Sequence, residues 1–219
     1  MAAEEDAAAV KAMCQQVAPA FFSAATLPFV EIEFRLGMVS PSGFNADVGR
    51  EAHDGALKAL RAFSGWESVQ HAVDHVRRLP RGVRVIVSAD DSCTPPVVQR
   101  KSKCVAIDME TLPGLAVRFA VAREEPVGFE ALRAIDPVWE EHGMVVARDR
   151  WSFQRKRVRI DVTQVTLPGD VAEYQVELEV LDPESITDDA QLMHVLHKVL
   201  DVQRAAGLAG HPPKKRLQV

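Results

Sequence analysis

The sequence predicts a mainly β domain, a barrel or a sandwich, with helices at its flanks. Two observations carry that expectation. Eight segments alternate apolar and polar side chains with a period of two, and turn residues such as Pro80-Arg81-Gly82, Pro113-Gly114 and Pro168-Gly169 punctuate several of them. Helical spacing is confined to three stretches, two before the main run of strands and one after it.

In chain order, apolar Ala7, Val10, Met13 and Val17 give helical spacing over 4–18, with Pro19 expected to stop it. A second helix is expected over 49–63, with Ala52, Ala56, Leu57, Leu60 and Phe63 on one side. Strands are expected over 29–37, 69–78, 83–90, 97–107, 115–125, 144–154, 157–167 and 173–181. The 69–78 segment fits a helix as well as a strand. The last helix spans 187–206, with Thr187 as N-cap, Asp188 and Asp189 in its first turn, and a stripe of Leu192, Val195, Leu196, Val199 and Leu200. One domain over 1–219 is expected, with its core at about 29–206 and a basic tail over 208–219.

Composition excludes several classes. The 219 residues carry a net charge of -5, unlike a general nucleic-acid coat. Three scattered cysteines, Cys14, Cys93 and Cys104, suggest neither a disulfide framework nor a zinc site. They point to a reducing compartment. There is no run of about 18 apolar residues, so no membrane span is expected. Lys214-Lys215-Arg216 after two prolines resembles a short nuclear import signal.

The chemistry lies on the polar strand faces. Glu31, Glu33 and Arg35 share one face, as do Arg157, Arg159, Asp161 and Thr163, and Gln175, Glu177 and Glu179. Arg148 pairs with Arg150, Lys101 with Lys103, and Arg118 matches Glu124 in parity. Single-sign pairs on a strand face repel and gain nothing at an ordinary surface. A bound metal would stabilise the acidic pairs, and a bound polyanion the basic ones. Mg²⁺ and Mn²⁺ take carboxylate and phosphate oxygens, and Arg forks grip phosphate.

At these residues the chain resembles the triphosphate tunnel metalloenzyme superfamily, most closely its fungal and protozoal mRNA-capping RNA 5′-triphosphatase branch. Glu31-Ile32-Glu33-Phe34-Arg35-Leu36-Gly37 resembles the opening Glu-x-Glu-x-Lys/Arg-x-Gly strand. Arg150-Trp151-Ser152, then Arg159-Ile160-Asp161-Val162-Thr163, resembles the Arg-x-Ser and Arg-x-Asp-x-Thr strands. Tyr174 to Glu179 resembles the late acidic strand, with Gln175 where the branch usually has a third glutamate.

The resemblance implies an eight-stranded antiparallel tunnel with a charged lumen and helices outside. It implies that Glu31, Glu33 and Glu179 hold Mg²⁺ or Mn²⁺, with Glu177 beside them. Arg84, Lys101, Lys103, Arg148, Arg150 and Arg159 would contact phosphates, and Asp161 would orient the basic groups. Glu124, or else Glu125, would be a further essential carboxylate. The implied reaction is release of the γ-phosphate from a 5′-triphosphate RNA end, in the nucleus, with a guanylyltransferase as partner. NTP or tripolyphosphate would be accepted in vitro. An inorganic tripolyphosphatase or small-molecule triphosphatase, and a non-catalytic polyphosphate-binding module, are the competing readings.

His71 and His75, four apart, lack an acidic partner for a metalloprotease motif. Trp66, Trp139 and Trp151 are expected in the core.

Overall fold

The alternating segments pair antiparallel, each with its neighbours, until the sheet meets itself. The computed structural model describes residues 2–90, 93–112, 114–141 and 143–207; the expected basic tail over 208–219 lies outside the described residues. Helix α1 (Ala2–Ala24) precedes strands β1 (Val30–Ser40) and β2 (Gly43–Asn45) and helix α2 (Arg50–Ala62). Strands β3 (Ser68–Arg78), β4 (Val83–Ser88), β5 (Val97–Leu112) and β6 (Leu115–Pro126) follow, then the short helix α3 (Phe129–Ile135). Strands β7 (Met144–Arg155), β8 (Val158–Leu167) and β9 (Val171–Val180) lead into helix α4 (Asp189–Gly207).

The order β1-β6-β5-β4-β3-β7-β8-β9 closes through β1–β9 pairing into an eight-stranded antiparallel barrel, with β2 a short hairpin partner of β1. Closure leaves the barrel without free edges. Segment 69–78 is a strand, settled by its long ladder with β7.

The apolar faces point outward over much of the wall. Ile32, Phe34 and Leu36 of β1, Val117, Phe119 and Val121 of β6, and Val176, Leu178 and Val180 of β9 are buried there. They share one core with Val17 and Phe21 of α1, Leu60 of α2, and Leu192, Leu196 and Leu200 of α4. A smaller cluster, Val83, Val85 and Val98 with Leu132, seats α3 on β4 and β5. With helices outside, the polar faces are left to line the barrel. None of the described helices is long and apolar enough to cross a membrane.

Several boundaries differ from expectation. Pro19 does not stop α1, which runs to Ala24. A proline within a helix removes one N–H bond, but here Phe21 beyond it is fully buried and holds the last turn. The cap of α4 is Asp188 rather than Thr187: Asp188 Oδ1 accepts the Gln191 N–H at 2.8 Å. Gln191 Oε1 accepts the Thr187 N–H at 3.2 Å in return. Strand β5 runs on to Leu112, with a register shift between Lys103 and Val105.

Candidate active site

Because i and i+2 share a face, pairing register fixes what meets inside the barrel. Glu33 of β1 lies opposite Glu179 of β9, and Arg35 opposite Glu177. On the other side of β9, Glu179 faces Arg159 and Glu177 faces Asp161 of β8. Glu124 of β6 faces Lys101 of β5, and Arg148 of β7 faces Asp74 of β3. The acidic and basic pairs seen in the sequence thus converge in one enclosed space.

Lys101 forms the centre of one half. Its ammonium contacts Glu31 directly, lies 3.6 Å from Glu33 and 3.2 Å from Glu124. Burial alone would lower its pKa, but Glu33 and Glu31 outweigh that and raise it. Arg35 binds Glu33 in a fork of 2.9 and 3.1 Å and reaches Glu177 at 2.9 Å. Arg84 and Gln99 hold the two oxygens of Glu124. Glu125 instead pairs with Arg123 at 2.7 Å, so the lumenal carboxylate is Glu124.

The other half is rich in arginine. Arg159 contacts Glu179 and donates its Nε to Asp161 at 3.0 Å. Asp74 takes Arg148 at 3.1 Å and Arg150 at 3.7 Å, and Asp161 takes Arg150 at 3.8 Å. Asp74 and Asp161 are both buried, consistent with paired charges in a low-dielectric space. Lys103 keeps the lumenal parity of Lys101 but is exposed, and the β5 irregularity follows directly after it.

Both halves are electrostatically incomplete. Burial, and then Glu33, push the Glu31 carboxyl up to about 8 in spite of Lys101. Burial likewise pushes Glu179 up to about 6 against the pull of Arg159, and it raises Glu177. Glu177 Oε1 is buried and makes no aligned hydrogen bond. Burial, more than any neighbour, favours the protonated form of these carboxylates, and a further cation beside them would oppose it. Burial and the neighbouring Arg150 lower Arg148. The Nε groups of Arg84, Arg148 and Arg150 are buried without an acceptor. An unpaired buried donor is costly; Arg100 and Arg123, outside the lumen, carry the same unpaired Nε, but only the three inside face one another across a space where an anion with several oxygens could supply acceptors.

Glu31, Glu33 and Glu179 offer only oxygen donors, the kind a hard divalent cation takes, though each is in contact with Lys101, Arg35 or Arg159. Among the described residues, no group of three His, Cys, Asp or Glu side chains is gathered tightly enough to enclose an ion as it stands. Lys101 occupies the space between Glu31, Glu33 and Glu124.

Asp74 and Gln99 are lumenal residues that sequence reasoning missed. Asp74 stood in the ambiguous 69–78 segment; strand parity there, once adopted, would have placed it facing the arginines. His71 lies outside, stacked on Trp151 at 4.4 Å and bonded to Asp149 at 2.7 Å. Arg61 lies over the same indole at 3.9 Å, and Trp66 donates its ring N–H to Leu60 O at 2.7 Å. Both tryptophans are thus structural.

No family model matches the sequence, and no curated protein matches it. Solved structures do. The S. pombe Pct1 RNA triphosphatase superposes with a TM-score of 0.69 at 15% identity, covering 90% of this chain and 91% of that one. Its complex with the Spt5 CTD gives 0.67 at 16% identity, over 90% and 92% of the two chains. The RNA triphosphatase domain of a trifunctional mimivirus mRNA capping enzyme gives 0.59 at 13%, over 88% and 95%. The chain shares its closed eight-stranded barrel with these RNA triphosphatases, the fold expected of the triphosphate tunnel superfamily.

Proposed function

We propose that the chain is a metal-dependent RNA 5′-triphosphatase that removes the γ-phosphate from 5′-triphosphate RNA ends, the first step of mRNA capping. The observation that carries this reading is the set of buried, acceptor-less Nε groups of Arg84, Arg148 and Arg150. They share the lumen with carboxylates that hold protons above their usual range. A triphosphate supplies the missing acceptors, and a divalent cation the missing positive charge.

Phosphoryl transfer is governed mainly by positioning and charge neutralisation. Arg148 and Arg150, held by Asp74, would orient the phosphate chain against the β3–β7 wall. Arg159, held by Asp161, would approach from β8. Lys101 would exchange a glutamate for a phosphate oxygen as a point charge. Glu124, fixed by Arg84 and Gln99, would orient a water. Glu31, Glu33 and Glu179 would hold Mg²⁺ or Mn²⁺, which when bound neutralises charge on the phosphate oxygens. On this reading the enzyme works in the nucleus beside a guanylyltransferase.

The test is phosphate release from a 5′-triphosphorylated RNA with Mg²⁺ or Mn²⁺, comparing wild type with Glu33→Ala. Metal-dependent release of one phosphate, lost in the variant, is expected. Inorganic tripolyphosphate run alongside ranks the two substrate classes. Folded wild-type protein that releases nothing from either would sink the reading and favour a polyphosphate-binding module.

A further inference from the structure

The two ends of the barrel differ. At the end where β1 finishes, the β2 hairpin folds back so that the Phe44 ring and the Asn45 carbonyl lie where a side chain at Gly37 would point. Gly37 has the lumenal parity of Glu31, Glu33 and Arg35. The Arg118 guanidinium stacks on Phe44 at 4.4 Å while its Nε and Nη2 bind Asp108 at 2.6 and 2.8 Å. Along the wall of β3, β4, β7 and β8, Val76, Val146 and Val165 are buried with Ile86 and Leu167 packed on them. Their outward neighbours His75, Val145 and Gln164 are exposed, so these aliphatic side chains fill the interior.

The opposite end begins at Phe29. Its φ is 58°, left-handed backbone that an aromatic L-residue adopts at a cost. Its side chain is not buried in return: Phe29 is 56% exposed. The left-handed turn at Phe29 thus leads into β1 without burying its ring. The Phe29 carbonyl accepts the Glu124 N–H at 2.8 Å, and Glu124 faces Lys101 across the next ladder. Phe29, Glu124 and Lys101 thus form one cross-strand row, running from the rim toward the charged interior. Leu27, in the turn before β1, and Val97, at the start of β5, are exposed too.

Resting on the triphosphatase reading, we propose that the RNA end enters at this mouth and that its first nucleoside stacks on Phe29 while the phosphates extend inward. An exposed aromatic ring at the mouth of a channel whose arginines and lysine face phosphate is one way single-stranded nucleic acid is held without sequence preference, the base stacking while the cations take the phosphates. Phe29 is then the residue that separates a nucleoside-bearing triphosphate from inorganic tripolyphosphate, which has no ring to stack.

The test compares wild type, Phe29→Ala, Phe29→Trp and Phe29→Asn by binding in chelator, where metal-dependent release cannot consume the ligands. A fluorescent 5′-triphosphorylated oligoribonucleotide is titrated by polarisation and tripolyphosphate by calorimetry. Phe29→Ala is expected to weaken RNA binding about tenfold or more and to leave tripolyphosphate within about twofold. Phe29→Trp restores the RNA affinity, and Phe29→Asn, suited to left-handed backbone, melts no lower than wild type while losing it. Equal losses on both ligands, an unchanged RNA affinity, or no RNA binding by wild type would overturn the proposal. RNA binding through Phe29 without phosphate release would count against the triphosphatase reading alone.

Discussion

Glu33 of β1 and Glu179 of β9 stand directly opposite each other inside the barrel, and each holds an arginine two positions along or one strand over: Arg35 for Glu33, Arg159 for Glu179. Two like charges in register are unfavourable, and these two guanidinia offset them. Replacing Glu33 by Gln keeps the shape, removes the repulsion with Glu179 and weakens the Arg35 fork. Those changes oppose each other in stability, so the melting temperature should move by only a few degrees. Metal-dependent phosphate release should fall by about 100-fold or more, as when a charge-stabilising group is lost from an active site. Turnover near wild type would remove Glu33 from the site.

The raised carboxyls set a pH dependence. Glu31 at about 8 and Glu179 at about 6 bind protons more firmly in the folded chain than their ordinary value of 4.5. Between 4.5 and 8 the folded state therefore carries more protons than the unfolded one, and stability falls as pH rises. The contribution is complete below the ordinary carboxylate range and lost through the folded values. In chelator, melting should decline between pH 5 and 8, and Glu31→Gln should flatten that decline. Deprotonation frees the metal ligands, so added Mg²⁺ or Mn²⁺ should raise the melting temperature more at pH 8 than at pH 6. A chelated protein that becomes more stable over this range, with Glu31→Gln indistinguishable from it, would contradict the assignment.

Arg150 separates binding from folding. Its ion pairs inside the protein are long, 3.7 Å to Asp74 and 3.8 Å to Asp161, and its Nε has no acceptor. Arg150→Lys should therefore cost little stability, while losing the planar fork that phosphate needs. Tripolyphosphate should stabilise wild type by mass action and the variant much less at the same concentration. A tenfold loss of affinity corresponds to about 1.4 kcal/mol. Equal thermal shifts in the two proteins would place the phosphates elsewhere.

Asp74 acts differently, since it holds Arg148 and Arg150 together from the facing strand. Removing one partner of a buried ion pair leaves the other uncompensated, at a cost of about 3–5 kcal/mol. Asp74→Ala should thus lower stability in denaturant melts as well as activity, and tripolyphosphate should restore part of the lost stability by drawing the arginines together. Unchanged stability would show that the two arginines need no protein carboxylate.

The barrel was legible because strands such as β1 and β8 bury one face and charge the other, which makes the period of two unmistakable at Glu31–Leu36 and Arg157–Thr163. Charge pairing between strands was not legible, because register depends on turns and bulges rather than on either strand's own pattern. Hence Asp74 and Gln99 went unnoticed, while Lys103, next to the β5 irregularity, proves exposed. The continuation of α1 past Pro19 depends on burial of Phe21, a tertiary effect that overrides local propensity. The parity argument did select Glu124 over Glu125, since alternation from Arg118 passes through the lumen at every second residue.

Gly37 tests the closed end of the barrel. The sequence shows it only as the last residue of the opening motif, but the structure gives it a steric role: a methyl group there would run into the Asn45 carbonyl oxygen and the Phe44 ring. The carbonyl belongs to a backbone paired in register with Met38 and cannot rotate away as a side chain could. Gly37→Ala must therefore push the β2 hairpin outward, separating Phe44 from Arg118. Overpacking of this kind typically costs about 1–3 kcal/mol. A denaturant melt should register that loss, and limited proteolysis should cut the 40–45 hairpin sooner than in wild type. Tripolyphosphate affinity should hold, because Lys101 and the arginines proposed to face phosphate, Arg84, Arg148, Arg150 and Arg159, lie on other strands. If Gly37→Ala is as stable as wild type, the hairpin does not lie over β1 as described and the far mouth is open.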